Sequence, residues 1–118
     1  MKYEISNIVA ELVEINKKFS SGTVVNNGSL DFALSAAFKG KDWQEQLAFI
    51  IRALLCDHVF EDGNKRTAAA YVMAILENFK YRYDPFKIDQ LVLKVAKNNV
   101  SDIKKIRRMI ANASTKNI

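Results

Sequence analysis

The chain has one histidine, one cysteine, one proline and only four glycines among its 118 residues. A single cysteine excludes an internal disulfide and permits a reducing compartment. One histidine and one cysteine cannot form a usual zinc site by themselves. With backbone breakers so scarce, helices are favoured over many short strands. No stretch approaches the ~18 to 20 consecutive apolar residues needed to span a bilayer. Met1-Lys2-Tyr3-Glu4 leads into an amphipathic pattern, not the apolar run of a signal peptide. The expectation is a cytoplasmic protein without membrane association. The glycine-rich phosphate loop ending in Gly-Lys-Ser/Thr is missing, as are the protein-kinase motifs. Internal repeats, low-complexity tracts and interdomain linkers are also missing, so residues 1–118 read as one domain.

Hydrophobic residues make up 49% and charged residues 26%, enough for a single core without metal or disulfide staples. Eighteen Lys and Arg against thirteen Asp and Glu give a formal net charge of +5. That balance suits an anionic ligand, whether nucleotide, nucleic acid or acidic partner, although a solvated basic surface alone would produce it.

Ile5, Ile8, Val9, Leu12, Val13, Asn16 and Phe19 recur at helical spacing and predict a first helix near residues 4–19. Asn16 is the one polar member of that stripe. Ser20-Ser21-Gly22 ends it. Thr23-Val24-Val25-Asn26-Asn27-Gly28 mixes strand formers with a turn signal, which reads as a short hairpin or an extended flap. Ser29 is expected to cap a second helix running to Phe38, and Lys39-Gly40-Lys41 breaks the chain again. Asp42-Trp43-Gln44-Glu45 has the form of a capping box. The helix it opens carries Leu47, Ile50, Ile51, Leu54, Leu55 and then His58 on one face.

Val59 to Gly63 interrupts the pattern, and Ala68, Val72, Ile75, Leu76 and Phe79 resume it from a start near Asn64. Tyr81-Arg82-Tyr83 is too short to assign. Asp84-Pro85 is a cap followed by proline at the first helical position. Ile88, Leu91, Val92 and Val95 form the next stripe, ended by Asn98-Asn99. Ser101 is expected to cap a last helix with Ile103, Ile106 and Ile110 inside, and Ser114 to Ile118 reads as a frayed tail. The predicted fold is all-α, an orthogonal or irregular bundle with room for one small hairpin.

A lone histidine on an apolar helix face is ordinarily a core residue with one hydrogen bond. Two features weigh against that for His58. A helix C-terminus favours the protonated imidazole, and the following residues build a loop suited to anions. Asp62-Gly63-Asn64-Lys65-Arg66 joins one helix end to the next helix start, where free N–H groups and the positive dipole end lie. Gly63 allows close backbone approach. Lys65 and Arg66 add charge, and arginine grips phosphate with two parallel bonds. Asp62 is positioned to hold Mg²⁺ against phosphate oxygens. Taken singly, Asp62 or Asn64 is explained as a cap, Gly63 as a turn residue, Lys65-Arg66 as solvated surface and Phe60 as a core plug. Together after His58 they suggest phosphoryl transfer. Cys56 reads as packing rather than a nucleophile, since no second histidine is present to activate it. The small, basic, helical composition also admits a helix-turn-helix DNA reader, but no helix stands out as a recognition helix, which argues against direct nucleic-acid binding.

The spacing His58-x-Phe60-x-Asp62-x-Asn64-Lys65-Arg66 resembles the signature of the Fic/Doc family, His-x-Phe-x-Asp/Glu-Gly-Asn-Gly/Lys-Arg. Lys65 followed by Thr67-Ala68 is similar to its Doc-type branch, and Asn27-Gly28-Ser29-Leu30-Asp31-Phe32-Ala33-Leu34 resembles the stretch before the core helices there. The resemblance covers most of the chain and implies a compact Fic-type helical bundle. It implies His58 as the base that deprotonates a hydroxyl on a target protein, and Asp62 as the residue that holds Mg²⁺ or orients the target. It implies Gly63, Asn64, Lys65 and Arg66 as the nucleotide-phosphate site, with Arg66 also catalytic. Most Fic enzymes transfer AMP; Doc-type members are toxins that move the γ-phosphate of ATP, act on a translation elongation factor and are held by a separate antitoxin. AMP-transferring members usually carry Gly where Lys65 stands and a second Arg where Ala69 stands, so both positions favour the Doc-type kinase. The family's inhibitory pattern, Ser/Thr-x-x-x-Glu-Gly/Asn, does not occur in the chain. An AMP transferase and a catalytically silent partner- or DNA-binding module are the alternatives.

Overall fold

In the computed structural model, residues 5–39 and 42–116 are described, with side chains from Asn7 onward. The first helix, α1 (Ile5–Asn16), buries Ile8 and Leu12 and also the amide of Asn16, which is 0% exposed. Its expected start at residue 4 lies outside the described residues. It ends before the predicted Phe19: the Lys17, Phe19 and Ser20 N–H groups fold back onto Val13 and Asn16 carbonyls in a tight turn. The segment after Gly22 is an extended flap rather than a hairpin. The Val25 N–H donates to the Val59 carbonyl at 2.8 Å and the Glu61 N–H to the Thr23 carbonyl at 3.0 Å, which makes an antiparallel bridge between Val24 and Phe60.

Helix α2 (Asn27–Phe38) starts before Ser29 because Asn26 is the cap. The Asn26 side-chain oxygen accepts the Ser29 N–H at 3.1 Å, so Ser29 sits in the first turn. Gly40 and Lys41, read as part of the following break, lie outside the described residues. Helix α3 (Trp43–Cys56) opens as its sequence predicts, with the Asp42 carboxylate accepting the Glu45 N–H at 2.9 Å. Helix α4 (Asn64–Asn78) buries Ala68, Val72, Ile75 and Leu76 along the expected stripe. Strand β1 (Tyr81–Tyr83) follows, then α5 (Pro85–Asn98), capped by Asp84 and buried through Ile88, Leu91, Val92 and Val95. Asn99, left-handed at φ 48°, closes α5.

Helix α6 (Ile103–Asn112) is capped by Asp102 and not by Ser101. The Asp102 carboxylate accepts both the Lys104 and Lys105 N–H groups, at 2.9 and 3.4 Å. A carboxylate also meets the positive helix end with charge, which a serine hydroxyl cannot. The expected frayed tail is corrected for Ser114–Lys116, which forms strand β2, antiparallel to β1, with Tyr81 opposite Lys116 and Tyr83 opposite Ser114; Asn117 and Ile118 lie outside the described residues. The fold is therefore helical with one small two-stranded sheet, and that sheet is at the C-terminal side rather than at the flap.

One hydrophobic cluster takes residues from each of the six helices among the described residues. Helix α3 lies at its centre and packs on α2, α4, α5 and α6. Trp43 at the start of α3 stacks on Phe79 at the end of α4, with centroids 4.6 Å apart, and meets Tyr81 edge-on at 5.2 Å. Such aromatic pairs add about 0.5–1.5 kcal/mol beyond their area. They fix the far ends of the α3–α4 pair, while the loop between the two helices is fixed separately by α1 and the flap. Among the described residues no helix is long and apolar enough to cross a membrane.

Candidate functional site

The loop from α3 to α4 is built by two left-handed residues. The expected continuation of the α3 apolar face to His58 does not occur. The helix ends at Cys56, the Asp57 N–H closes it on the Ala53 carbonyl at 3.1 Å, and His58 turns left-handed at φ 51°. Histidine tolerates that region better than most side chains. The turn takes the imidazole off the buried face and leaves it exposed. Val59 and Phe60 then plunge into the core at 0% and 1% exposure, so Phe60 is the plug its sequence position suggests. Glu61 and Asp62 return to the surface. Gly63, at φ 76°, starts α4 with no side-chain cap.

Buried amides hold this loop from within. The Asn64 side chain accepts the Phe60 N–H at 3.0 Å and donates to the Phe60 carbonyl at 2.9 Å. Its amide is thereby committed to closing the loop, and what Asn64 can offer an anion is its backbone N–H. Asn16 works from α1. Its Nδ2 donates to the Asp62 carbonyl at 2.9 Å and to the Thr67 hydroxyl at 3.0 Å, while its Oδ1 accepts the Gly22 N–H at 2.9 Å. No buried side-chain polar atom among the described residues lacks a partner. Removing one such buried partner costs about 1–3 kcal/mol for each group left unsatisfied.

Outside the loop lies a cleft of about 500 Å³. His58, Glu61, Asp62, Gly63, Asn64, Lys65 and Arg66 line it, with Phe19 and Leu55 as its apolar wall. The structure thus brings every sequence-predicted site residue to one cavity. Lys65 and Arg66 are exposed, and among the described residues neither is drawn into an ion pair. The Arg66 guanidinium sits 6.0 Å from the centroid of the Phe19 ring, within cation–π range. The uncapped start of α4 adds free backbone N–H groups and the positive helix end. An anion with several oxygens can be met here by backbone N–H groups, one ammonium and one guanidinium, with the His58 imidazole and the Glu61 and Asp62 carboxylates on the same cleft.

No group of three or more His, Cys, Asp or Glu side chains suitable for a metal occurs among the described residues. Magnesium needs less than that, since one or two carboxylates with substrate phosphates and water complete its shell. The exposed Asp62 carboxylate at the cleft suits such a site. Burial pushes the Cys56 thiol up, with the Asp57 charge adding to it and Arg52 opposing. Its Sγ donates to the Val100 carbonyl at 3.3 Å, so it is a packing residue turned from the cleft.

Sequence reasoning missed Glu61, Phe19 and Leu55 as cleft residues and the clamp formed by Asn16. For Asn16 a signal existed, since it is the single amide in an otherwise apolar stripe. For Phe19 there was none, because the turn that delivers it to the cleft breaks the helical spacing used to place it. No protein-family model matches the chain, and no curated protein or solved structure matches it.

Proposed function

We propose that the cleft binds ATP with Mg²⁺ and that the chain is a Fic/Doc-type phosphotransferase of the Doc kind. It moves the γ-phosphate to a hydroxyl side chain of a target protein. The observation that carries this reading is the gathering of His58, Asp62, Gly63, Lys65 and Arg66 on one cavity at a helix start that no side chain caps. In this reading the His58 imidazole takes the proton of the target hydroxyl. The hydroxyl oxygen bonds to the γ-phosphorus, the bond from that phosphorus to the β–γ bridging oxygen breaks, and ADP leaves. Backbone N–H groups of the first turn of α4 and the Arg66 guanidinium hold the phosphate oxygens in line and neutralise their charge. Asp62 would hold Mg²⁺, which supplies further charge neutralisation when bound. Lys65 supports γ- over α-transfer, because its side chain takes space and places a cation where a terminal phosphate can sit. Ala69, buried in α4 at 7% exposure, offers no second arginine.

On the same resemblance the target is a translation elongation factor, the setting is the cytoplasm, and a separate antitoxin polypeptide restrains the enzyme. The test is incubation of the chain with Mg²⁺, a purified elongation factor and ATP labelled at either the γ- or the α-phosphate. Transfer of γ label alone is expected. Transfer of α label would replace this reading with AMP transfer. Transfer of neither, with ATP bound, would favour a silent binding module.

A further inference from the structure

We propose that Asn16 is a positioning residue that locks the peptide between Asp62 and Gly63 with its N–H turned to the cleft. The inference rests on the phosphate-site reading above and deepens it. A trans peptide is planar, and its C=O and N–H point to opposite sides. The Asp62 carbonyl accepts from the buried Asn16 Nδ2 at 2.9 Å, so it points inward toward α1. The Gly63 N–H therefore points away from α1, and Gly63 lines the cleft while Asn16 does not.

This orientation needs holding. A flip of the Asp62–Gly63 peptide changes mainly ψ of Asp62 and φ of Gly63, and glycine accepts either sign of φ. The flipped peptide would aim a carbonyl at a bound phosphate and withdraw a donor from it. Asn16 opposes the flip because its own amide is fixed in turn. Its oxygen is committed to the Gly22 N–H at 2.9 Å, so its nitrogen must face Asp62 and Thr67. The fit is close: a Cβ at Gly63 would stand 3.2 Å from Asn16 Nδ2. A polar residue in the apolar stripe of α1 thereby sets the donor geometry of a loop far from it in sequence.

The experiment uses the full chain, with inorganic pyrophosphate and Mg²⁺ as the calorimetric probe. Asn16→Leu keeps the volume and removes the lock. Thr67→Val removes the other acceptor of Asn16 Nδ2 and leaves the Asp62 carbonyl bond, so it reports the structural cost alone. Both variants are expected to lower Tm. Asn16→Leu is expected to weaken pyrophosphate binding about tenfold, the scale of one lost hydrogen bond with an unfavourable carbonyl in its place. Thr67→Val is expected to bind as the native chain does. Equal affinity in the two variants would overturn the proposal. If the native chain binds no pyrophosphate, the phosphate-site reading fails separately, and a crystal structure of Asn16→Leu then judges the lock. An Asp62 carbonyl turned to the cleft, or split between two orientations, supports it; an unmoved carbonyl overturns it. Should Asn16→Leu fail to fold, Asn16→Ser carries the same measurements, since its hydroxyl retains an acceptor but is too short to reach Asp62.

Discussion

Helices α3 and α4 lie side by side, and their N-termini are built in opposite ways. At the start of α3 the Asp42 carboxylate takes the Glu45 N–H, and Arg107 from α6 grips the same carboxylate with two bonds. The free donors and the helix dipole are answered within the protein. At the start of α4 stands a left-handed glycine with no side-chain cap; Lys65 and Arg66 in its first turn carry the same sign as the helix end, and the Glu61 and Asp62 carboxylates just before it lie exposed on the same cleft without capping it. Helices α2, α5 and α6 are capped by Asn26, Asp84 and Asp102, as α3 is by Asp42. A start left open beside a cavity keeps its backbone donors free for an anion. A side-chain cap missing at one helix start and present at the four others whose caps are described is a local exception of the kind that points to a candidate site.

The largest expected effect falls on His58, the base of the proposed reaction. His58→Asn keeps a side chain that tolerates the left-handed backbone and removes the proton acceptor. Transfer should fall by ~10²- to 10⁴-fold, with the melting temperature unchanged because the imidazole is exposed; a kinase assay beside a thermal scan checks both. Gly63→Ala comes next. It places a Cβ at a left-handed position 3.2 Å from Asn16 Nδ2 and should cost about 1–3 kcal/mol of stability along with most ATP affinity. Normal ATP binding by this variant would mean that the backbone of the loop does not position the nucleotide.

Arg66→Ala should weaken ATP binding by about tenfold or more, the loss of a charge-assisted bond. Arg108→Ala, on the exposed face of α6, should do nothing in the same calorimetry. Arg107 is not a suitable control, because it clamps Asp42.

The smallest effect belongs to the capped helix start. Asp42→Ala should lower stability by roughly 1 kcal/mol and leave ATP binding intact. The ion pair itself adds little, since its side chains are 39–41% exposed and solvent screens them. The bond from Arg107 holds the Asp42 carboxyl below the usual aspartate range, helped by the Glu45 and Gln44 N–H groups. A folded-state pKa lowered in this way gives stability that is present above the ordinary aspartate value and is lost as pH falls through the lowered one. Denaturation curves of native chain and Asp42→Ala should therefore converge in acid.

Much of this was legible from spacing alone. The Asp42 cap, the start of α4 near Asn64, the Asp84-Pro85 entry to α5 and the stripes of α4 and α5 are local patterns, and the structure keeps them; of the capping box expected at Asp42–Glu45 it shows the Asp42 half. The misses have two physical sources. Where two candidate caps compete, the side chain that reaches the second or third N–H wins, so Asn26 displaced Ser29 and Asp102 displaced Ser101. Where pairing is distant, three-residue segments carry too little pattern to reveal it, so β2 looked like a tail. His58 is a separate case. Its spacing fits the α3 face, yet the turn at Asp57 ends that helix first. The candidate site was read from which residues the loop contains, whereas the α1 amide that clamps the loop showed in the sequence only as the one polar member of an apolar stripe.

The comparison between the two helix starts can be read directly by titrating Mg²⁺–ATP into isotopically labelled chain and following the backbone amides. The amides of Gly63, Asn64, Lys65 and Arg66 should shift together and saturably, while those of Trp43, Gln44 and Glu45 stay in place. Shifts absent from the α4 start, or equal at both starts, would contradict the account.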